Sequence, residues 1–314
     1  MTDPTSDAAP HPLAALSSSL AGLVESVGAS TLDVQGRHRR GVASGVVWRS
    51  GILVTAAHVF RRTPTTVPVV AEGSRELNAA FVGMDASTDI AVFRLDDGSV
   101  PAAALGDASS IKPGHLAIAV GRSAQGDLTA SYGIVNRTSG PWETWLGGQL
   151  DRLIRLDGGL YEGLSGAPVA DASGAVFGMA TAALSRSYGI VVPASTVSRI
   201  VDALLEKGHV TRAFLGIGAQ PVPLESARGP DASDTGVGLL ITALVSGGPA
   251  AAAGLLVGDI LVSIDGTPVA SLPDLRVTLA GQIGKAVTVS VLRGGQAREV
   301  SLTVGQWPAQ RHHC

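Results

Sequence analysis

Three short stretches of this 314-residue chain carry side chains that together could cut an acyl bond. Ser165 lies in GLYEGLSGAPV, wedged between glycines and followed by alanine and proline. His58 lies in GILVTAAHVF, directly after an apolar strand and two alanines. Asp89 lies in DASTDIAVFRL, at the entry to a strand too apolar to be an open surface. A serine hydroxyl becomes a nucleophile only with a base in hydrogen-bond reach and a third group that orients the base. The three residues therefore have to be read as a set.

Taken singly, each admits a plainer reading. Gly163 permits a turn whose N–H groups point inward, and Gly166 removes bulk behind Ser165, which is what an oxyanion hole of backbone donors requires; the same composition fits a Gly-Ser turn between strands. A buried Asp89 needs a donor to offset its desolvation, and an imidazole N–H would serve, although an aspartate can equally cap its own backbone. Asp85, in GMD, reads as such a cap. The alanines before His58 let the ring approach a neighbouring wall, and a satisfied core histidine fits as well. His11, His38, His115, His209, His312 and His313 lie in polar or terminal segments or at a strand start, and read as solvent-exposed. The single cysteine, Cys314, excludes an intrachain disulfide and a cysteine zinc site. No metal site and no cofactor is expected.

The elements that must position these residues are mostly strands. With 45% apolar residues the chain can fill two cores. GVASGVVWR, GILVTA, ELNAAFVGM, IAVFRL, HLAIAVG, LTASYGIVNR, RLIRLD, AVFGMATA and YGIVVP follow one another closely, the pattern of barrels or sandwiches. One helix is predicted between Ser195 and Lys207 from the spacing of Val197, Ile200, Val201, Leu204 and Leu205, with Ser195 as N-cap and Gly208 as the stop. A linker over 208–213 leads to a smaller module over 214–306, with strands, the short helices PAAAAG and LPDLRVTLAG, a Gly-Gly hairpin in LRGGQ, and a surface loop PVPLESARGPDASD. Residues 1–30 form a separate segment, partly helical or disordered, and 307–314 a tail.

A formal charge of −3 gives no bias toward nucleic acid or an anionic membrane, and the one basic cluster, RHRR at 37–40, reads as a solvated turn. The N-terminus has early acids and prolines and no basic region, so no signal peptide is expected, and no run of 18 apolar residues suggests membrane insertion. A cytoplasmic location is the default, or a periplasmic or extracellular one for a trimmed chain.

The order His58, Asp89, Ser165 is that of the chymotrypsin type. Together with that order, TAAHVF, STDIAVFRL and IRLDGGLYEGLSGAPV resemble the catalytic motifs of the HtrA/Deg serine proteases, and the spacings of 31 and 76 residues are similar to theirs. LGDASSIKPGHLAIAVG, GHVTRAFLGIG and GGPAAAAGLLVGDILVSIDGTPV extend the likeness. The resemblance implies a mainly β fold, a trypsin-like double β-barrel over 31–207 followed by one PDZ domain. It implies a serine endopeptidase acting on unfolded or misfolded polypeptides in protein quality control. Ser165 would attack, His58 act as base, Asp89 orient His58, and the N–H groups of Gly163 and Ser165 hold the oxyanion.

Met179, Ala180, Thr181, Ala182 and Ala183 would then form the substrate-binding strand, whose methyl groups and lack of an acid favour a small aliphatic P1 residue. In the PDZ module, Leu215, Gly216 and Ile217 would capture a peptide carboxylate, with Leu275, Thr278 and Leu279 lining the groove. The family's trimers are pinned by N-terminal aromatics, and residues 1–30 contain none, so a homotrimer is implied without its usual anchor. The family usually carries Asn-Ser-Gly-Gly at the nucleophile, against Leu164-Ser165-Gly166-Ala167 here. If position 167 required a positive φ, the alanine would cost about 1–2 kcal/mol. That departure leaves an alternative open, a catalytically silent scaffold that binds peptides through its PDZ domain.

Overall fold

The computed structural model describes residues 11–36, 42–224 and 236–306, and RHRR, most of PVPLESARGPDASD and Cys314 lie outside them. The chain divides into two compact units, Met1–Val210 and Thr211–Cys314. In the first, strands β1 (Thr31–Gln35), β2 (Val42–Arg49), β3 (Ile52–Ala56), β4 (Thr66–Ala71), β5 (Arg75–Asp85) and β6 (Ile90–Leu95) close a barrel in the order β1-β2-β3-β6-β5-β4. Next come β7 (Leu116–Arg122), β8 (Leu128–Ser139) and a two-residue ladder of β9 (Trp142–Glu143) with β10 (Gln149–Leu150). With β11 (Leu153–Leu156), β12 (Pro168–Ala170), β13 (Val176–Thr181) and β14 (Ile190–Pro193), a second barrel closes in the order β11-β14-β13-β12-β7-β8. This is the trypsin-like double barrel.

Two cores explain why several strands read as unbroken apolar runs. β3 is buried at every position. Leu53 belongs to the interior of the first barrel with Val34 and Phe93, whereas Ile52 and Val54 join a second cluster with Ile118, Val192 and Ile200. β6 divides the same way, with Ala91 and Phe93 inside and Ile90 and Val92 outside. A strand covered on both faces loses the polar half of its alternation.

Helix α2 (Ala194–Lys207) covers that outer cluster with Val197, Ile200, Val201 and Leu204. It stops as expected, Gly208 taking φ 72° and donating its N–H to Leu204 O. Its start differs from expectation. β14 runs to Pro193, whose extended backbone leads straight into the helix, so Ser195 lies inside the first turn and caps nothing. Helix α1 (Pro12–Gly28) is continuous where the sequence showed only broken periodicity. Leu20, Leu23, Val24 and Val27 pack it on the outer cluster. The buried Arg122 guanidinium holds its end, donating to Gly28 O and Thr31 O, both at 2.7 Å.

The second unit contains β15 (Ala213–Phe214), β16 (Ile217–Pro223), β17 (Val237–Leu244), α3 (Pro249–Ala252), β18 (Ile260–Ile264), β19 (Thr267–Pro268), α4 (Leu272–Leu279), β20 (Ala286–Arg293), β21 (Gln296–Thr303) and β22 (Gly305–Gln306). Its sheet runs β16-β17-β18-β20-β21, with β19 on β18 and a separate β15-β22 ladder. The hairpin at Gly294-Gly295 has φ of 58° and 79°, the paired left-handed residues of a two-residue turn. Pro221 and Pro223, expected in a loop, belong to β16. The strand tolerates them because, among the described strands, it lies at the sheet edge and pairs only with β17.

Candidate active site and peptide groove

Strand register brings the histidine to the aspartate. β3 pairs with β6 so that Ala56 lies opposite Ile90, and His58 follows on a single 3-10 turn, Ala57–Val59. Ala57 N–H donates to Asp89 O at 3.1 Å, and His58 N–H to Asp89 Oδ1 at 2.8 Å. His58 Nδ1 lies 2.7 Å from Asp89 Oδ2. Since an ionised carboxylate only accepts, Nδ1 carries the proton and Nε2 keeps the lone pair of a base. Asp89 adopts φ 59°, a left-handed conformation that aspartate tolerates better than most residues. The turn before it is held by Asp85, which accepts from Ser87 N–H at 3.1 Å and Thr88 Oγ–H at 2.8 Å. Asp85 is the backbone cap and Asp89 the partner of histidine.

Asp89 is 2% exposed and its acceptors are used. Thr181 Oγ–H donates to Oδ2, and the same hydroxyl accepts from Ala183 N–H at 3.0 Å, which commits its proton to Asp89. The sequence placed Thr181 on the substrate strand but gave no hint of this role beyond one hydroxyl in a buried apolar strand. Burial pushes the His58 pKa down, while the hydrogen bond and charge of Asp89 push it up, and the second influence prevails, leaving His58 above its ordinary value. The environment thus favours proton uptake at His58.

Ser165 sits on the loop between β11 and β12, where successive peptide groups are pinned, Leu164 O among them by Ala167 N–H at 3.1 Å. Leu164 N–H donates to Tyr161 O at 3.2 Å, closing a turn whose third residue, Gly163, has φ 89°. Gly166 N–H donates to Ala180 O at 2.8 Å, and Ser165 O accepts from Ser44 N–H at 3.0 Å. Among the described residues, the N–H groups of Gly163 and Ser165 have no acceptor. Two unoccupied amides flanking a serine are the donors an oxyanion needs. Gly166 has φ 86°, and a Cβ there would lie 2.1 Å from Ser44 O and 2.9 Å from Ala56 N. Its bareness lets the Ser165 loop press against the strand end that leads to His58. Ala167 is absent from the positive-φ residues, so the strain considered for it does not arise.

The expected substrate strand is only partly presented. Met179 and Ala180 are fully buried, Met179 in the outer cluster and Ala180 within the second barrel, which removes their side chains from any substrate surface. Ala182 is exposed and Ala183 half-buried. The other histidines are peripheral: His11, His115 and His209 are exposed, and His38, His312 and His313 lie outside the described residues.

In the second unit, Leu215, Gly216 and Ile217 form the bend into β16. Gly216 has φ 78°, and among the described residues the N–H groups of Leu215 and Gly216 have no acceptor. Their carbonyls are used, Leu215 O by Ala250 N–H at 2.9 Å and Gly216 O by Val245 N–H at 2.8 Å. Among the described strands β16 is at the sheet edge, and α4 lies next to it. Leu275 and Leu279 are buried in the module's core, whereas Thr278 is half-buried.

A trypsin-like peptidase domain model matches residues 43–179, which include His58, Asp89 and Ser165, and a PDZ domain model matches 215–304. A Halomonas elongata protein named a probable periplasmic serine endoprotease DegP-like is 34% identical over 281 residues, covering 86% of this chain and 57% of its own length. The chain belongs to the HtrA family, with one PDZ domain. A Bartonella henselae protein of the same name is 32% identical over 290 residues, covering 89% of this chain and 56% of its own length. The chain thus spans about half the length of the curated relatives it matches. Among solved structures, the HtrA-type protease AlgW with tripeptide superposes with a TM-score of 0.74 at 25% identity, covering 92% of this chain and 97% of that one.

These relatives correct one expectation. They are named periplasmic enzymes, so the cytoplasmic default is withdrawn. Among the described residues, no helix is long and apolar enough to cross a membrane.

Proposed function

We propose that this chain is a serine endopeptidase of unfolded polypeptides whose PDZ domain captures peptide C-termini. The observations that carry the reading are a buried, fully hydrogen-bonded Asp89 holding His58 Nδ1, a Ser165 loop that packs at Gly166 against Ala56, two residues before His58, and the unoccupied amides of Gly163 and Ser165. Ser165 Oγ attacks the peptide carbonyl, His58 Nε2 takes its proton and returns it to the leaving amine, and Asp89 holds the tautomer and stabilises the imidazolium. The N–H groups of Gly163 and Ser165 receive the charge that develops on the carbonyl oxygen.

Main-chain groups at Thr181 to Ala183 pair with the substrate, and the methyl groups of Ala182 and Ala183, with no acid among them, favour a small aliphatic P1 side chain. The silent-scaffold alternative rested on Leu164 and Ala167, and neither strains the loop. A homotrimer is part of the same proposal, supported by the family and by the exposed Leu13 and Leu16 of α1; native mass by light scattering decides it.

The test of the chemistry is Ser165→Ala. Casein hydrolysis should fall by about 10⁴- to 10⁶-fold and labelling by a fluorophosphonate should vanish, with the fold intact. Unchanged turnover would remove Ser165 as nucleophile, and a wild-type chain that neither labels nor cleaves would restore the scaffold reading.

A further inference from the structure

Ser44, on β2, was read in the sequence only as part of the strand GVASGVVWR. In the fold it is completely buried and touches the nucleophile loop at two places. Its N–H donates to Ser165 O at 3.0 Å, and its Oγ–H donates to Gly163 O at 2.8 Å. The direction of the second bond is fixed by the surroundings, because Oγ also accepts Arg122 N–H at 3.1 Å, leaving its one proton for the carbonyl. Ser44 O in turn accepts from Thr55 Oγ–H at 2.7 Å, so the residue is anchored in the first barrel while it grips the second. Two glycines make the approach possible. A Cβ at Gly121 would lie 2.8 Å from Ser44 Oγ, and one at Gly166 would lie 2.1 Å from Ser44 O.

The consequence follows from how a peptide unit is built. Its C=O and the next N–H point in opposite directions in one plane, so anchoring either end orients the other. Ser44 holds the C=O of the peptides 163–164 and 165–166, whose N–H ends are held by Tyr161 O and Ala180 O. Both units are thereby pinned at both ends. They bracket the peptide that carries Ser165 N–H, whose own C=O is held by Ala167 N–H at 3.1 Å, and the first of them fixes the outgoing side of Gly163, a residue whose backbone is otherwise free to rotate.

We infer that Ser44 is a positioning residue for the oxyanion hole, its hydroxyl setting the direction of the Gly163 N–H through Gly163 C=O and, with its N–H on Ser165 O, holding the frame in which Ser165 N–H points. The inference rests on the proposed role of Ser165. It places the effect on the transition state, since the donors are aimed at charge absent from the ground state.

The experiment uses the full chain, a peptide substrate, and a peptidyl boronic acid that forms a tetrahedral adduct with the nucleophile. Ser44→Ala should lower kcat by about 10- to 100-fold, less than the loss expected for deleting a donor outright. KM should stay within about twofold and the boronate Ki should rise by the same factor as kcat/KM falls. The acid limb of the pH profile should not move, because His58 and Asp89 are untouched. Ser44→Cys keeps the size and the backbone contact but donates weakly, should fall between the two, and carries the test if the alanine variant does not fold. A kcat within threefold of wild type in the variants that fold would overturn the inference, as would a loss carried by KM or a shifted acid limb. Failure of the underlying reading is separate, because it would appear as an active Ser165→Ala chain or an inert wild type.

Discussion

Replacing Asp89 by asparagine changes no heavy-atom count, yet the hydrogen bonds dictate a large effect. Asp89 accepts from His58 N–H, from His58 Nδ1–H and from Thr181 Oγ–H, all three being donors. An amide offers one oxygen and one NH2. If the oxygen keeps His58 N–H, the NH2 faces Nδ1, which must then become an acceptor, and the ring proton moves to Nε2. In the proposed mechanism that is the nitrogen that takes the proton of Ser165. The flipped amide fares worse, setting NH2 against the N–H of His58 in a site where the residue is 2% exposed. The wrong tautomer should therefore dominate, with kcat lower by about 10⁴-fold, or about 5 kcal/mol of transition-state stabilisation.

The pH profile gives an independent reading of the same change. In the wild type His58 titrates above its ordinary 6.5, so kcat/KM should fall as pH drops through a value above 6.5. In Asp89→Asn the hydrogen bond to a carboxylate and its charge are gone while burial remains, so the residual activity should show its acid limb below 6.5. Steady-state kinetics on a peptide substrate between about pH 5 and 9 measures both effects. A variant within tenfold of wild-type kcat, or with its limb unmoved, would refute the assignment of Asp89 as the group that orients and charges the base.

Gly166→Ala should abolish most activity and lower Tm, because a left-handed alanine costs about 1–2 kcal/mol before its Cβ meets a carbonyl oxygen; a variant with wild-type kcat would contradict the close approach of the loop to Ser44. Asp33 is 1% exposed, its Oδ2 has no partner among the described residues, and burial raises its pKa to about 6 despite the opposing hydrogen bond from Gln35. Its folded value lies above the unfolded one, so the native state binds the proton more tightly and wild-type stability falls as pH rises from 3.8 through about 6. Asp33→Asn should therefore gain up to about 3 kcal/mol relative to wild type at pH 8 compared with pH 4, and melts showing the same difference at both would sink the idea. For the PDZ domain, calorimetry with an apolar C-terminal peptide and its amidated twin should show binding of the acid only, and equal affinities would eliminate capture of the carboxylate by the amides of Leu215 and Gly216.

What could be read in the sequence was what repeats locally or follows a fixed order. β3 and β6 announced themselves as apolar runs, α2 by its spacing, the Gly294-Gly295 hairpin by its residues, and the catalytic set by the order of three motifs. What escaped depends on contacts made across the fold. The serines of α1 interrupt its apolar pattern, and the helix is stabilised by packing on the barrels and by Arg122 at its end. Thr181 and Ser44 look like ordinary strand residues until the second barrel brings one to Asp89 and the other to Gly163, 92 and 119 residues away in the chain. Met179 and Ala180 looked accessible because a motif shows which strand lines a site but not which side chains face it.

The two departures from the family's nucleophile motif act on packing and leave the donors alone. Leu164 is 2% exposed and lies among Ile111, Val135, Ile154 and Phe177 in the second barrel's interior, where burying a leucine side chain stabilises by about 1.5–3 kcal/mol. A polar side chain at 164 would need hydrogen-bond partners that these neighbours do not offer. Ala167 is fully buried, donates its N–H to Leu164 O at 3.1 Å and accepts Ala180 N–H at 2.9 Å. It enters β12 with strand-like pairing, a conformation in which a methyl group carries no penalty. The requirement for glycine falls instead on 163 and 166, which take φ of 89° and 86°, and both are glycine here. Leucine and alanine are thus compatible with the same loop, because the positions whose backbone must be left-handed are the two the sequence keeps.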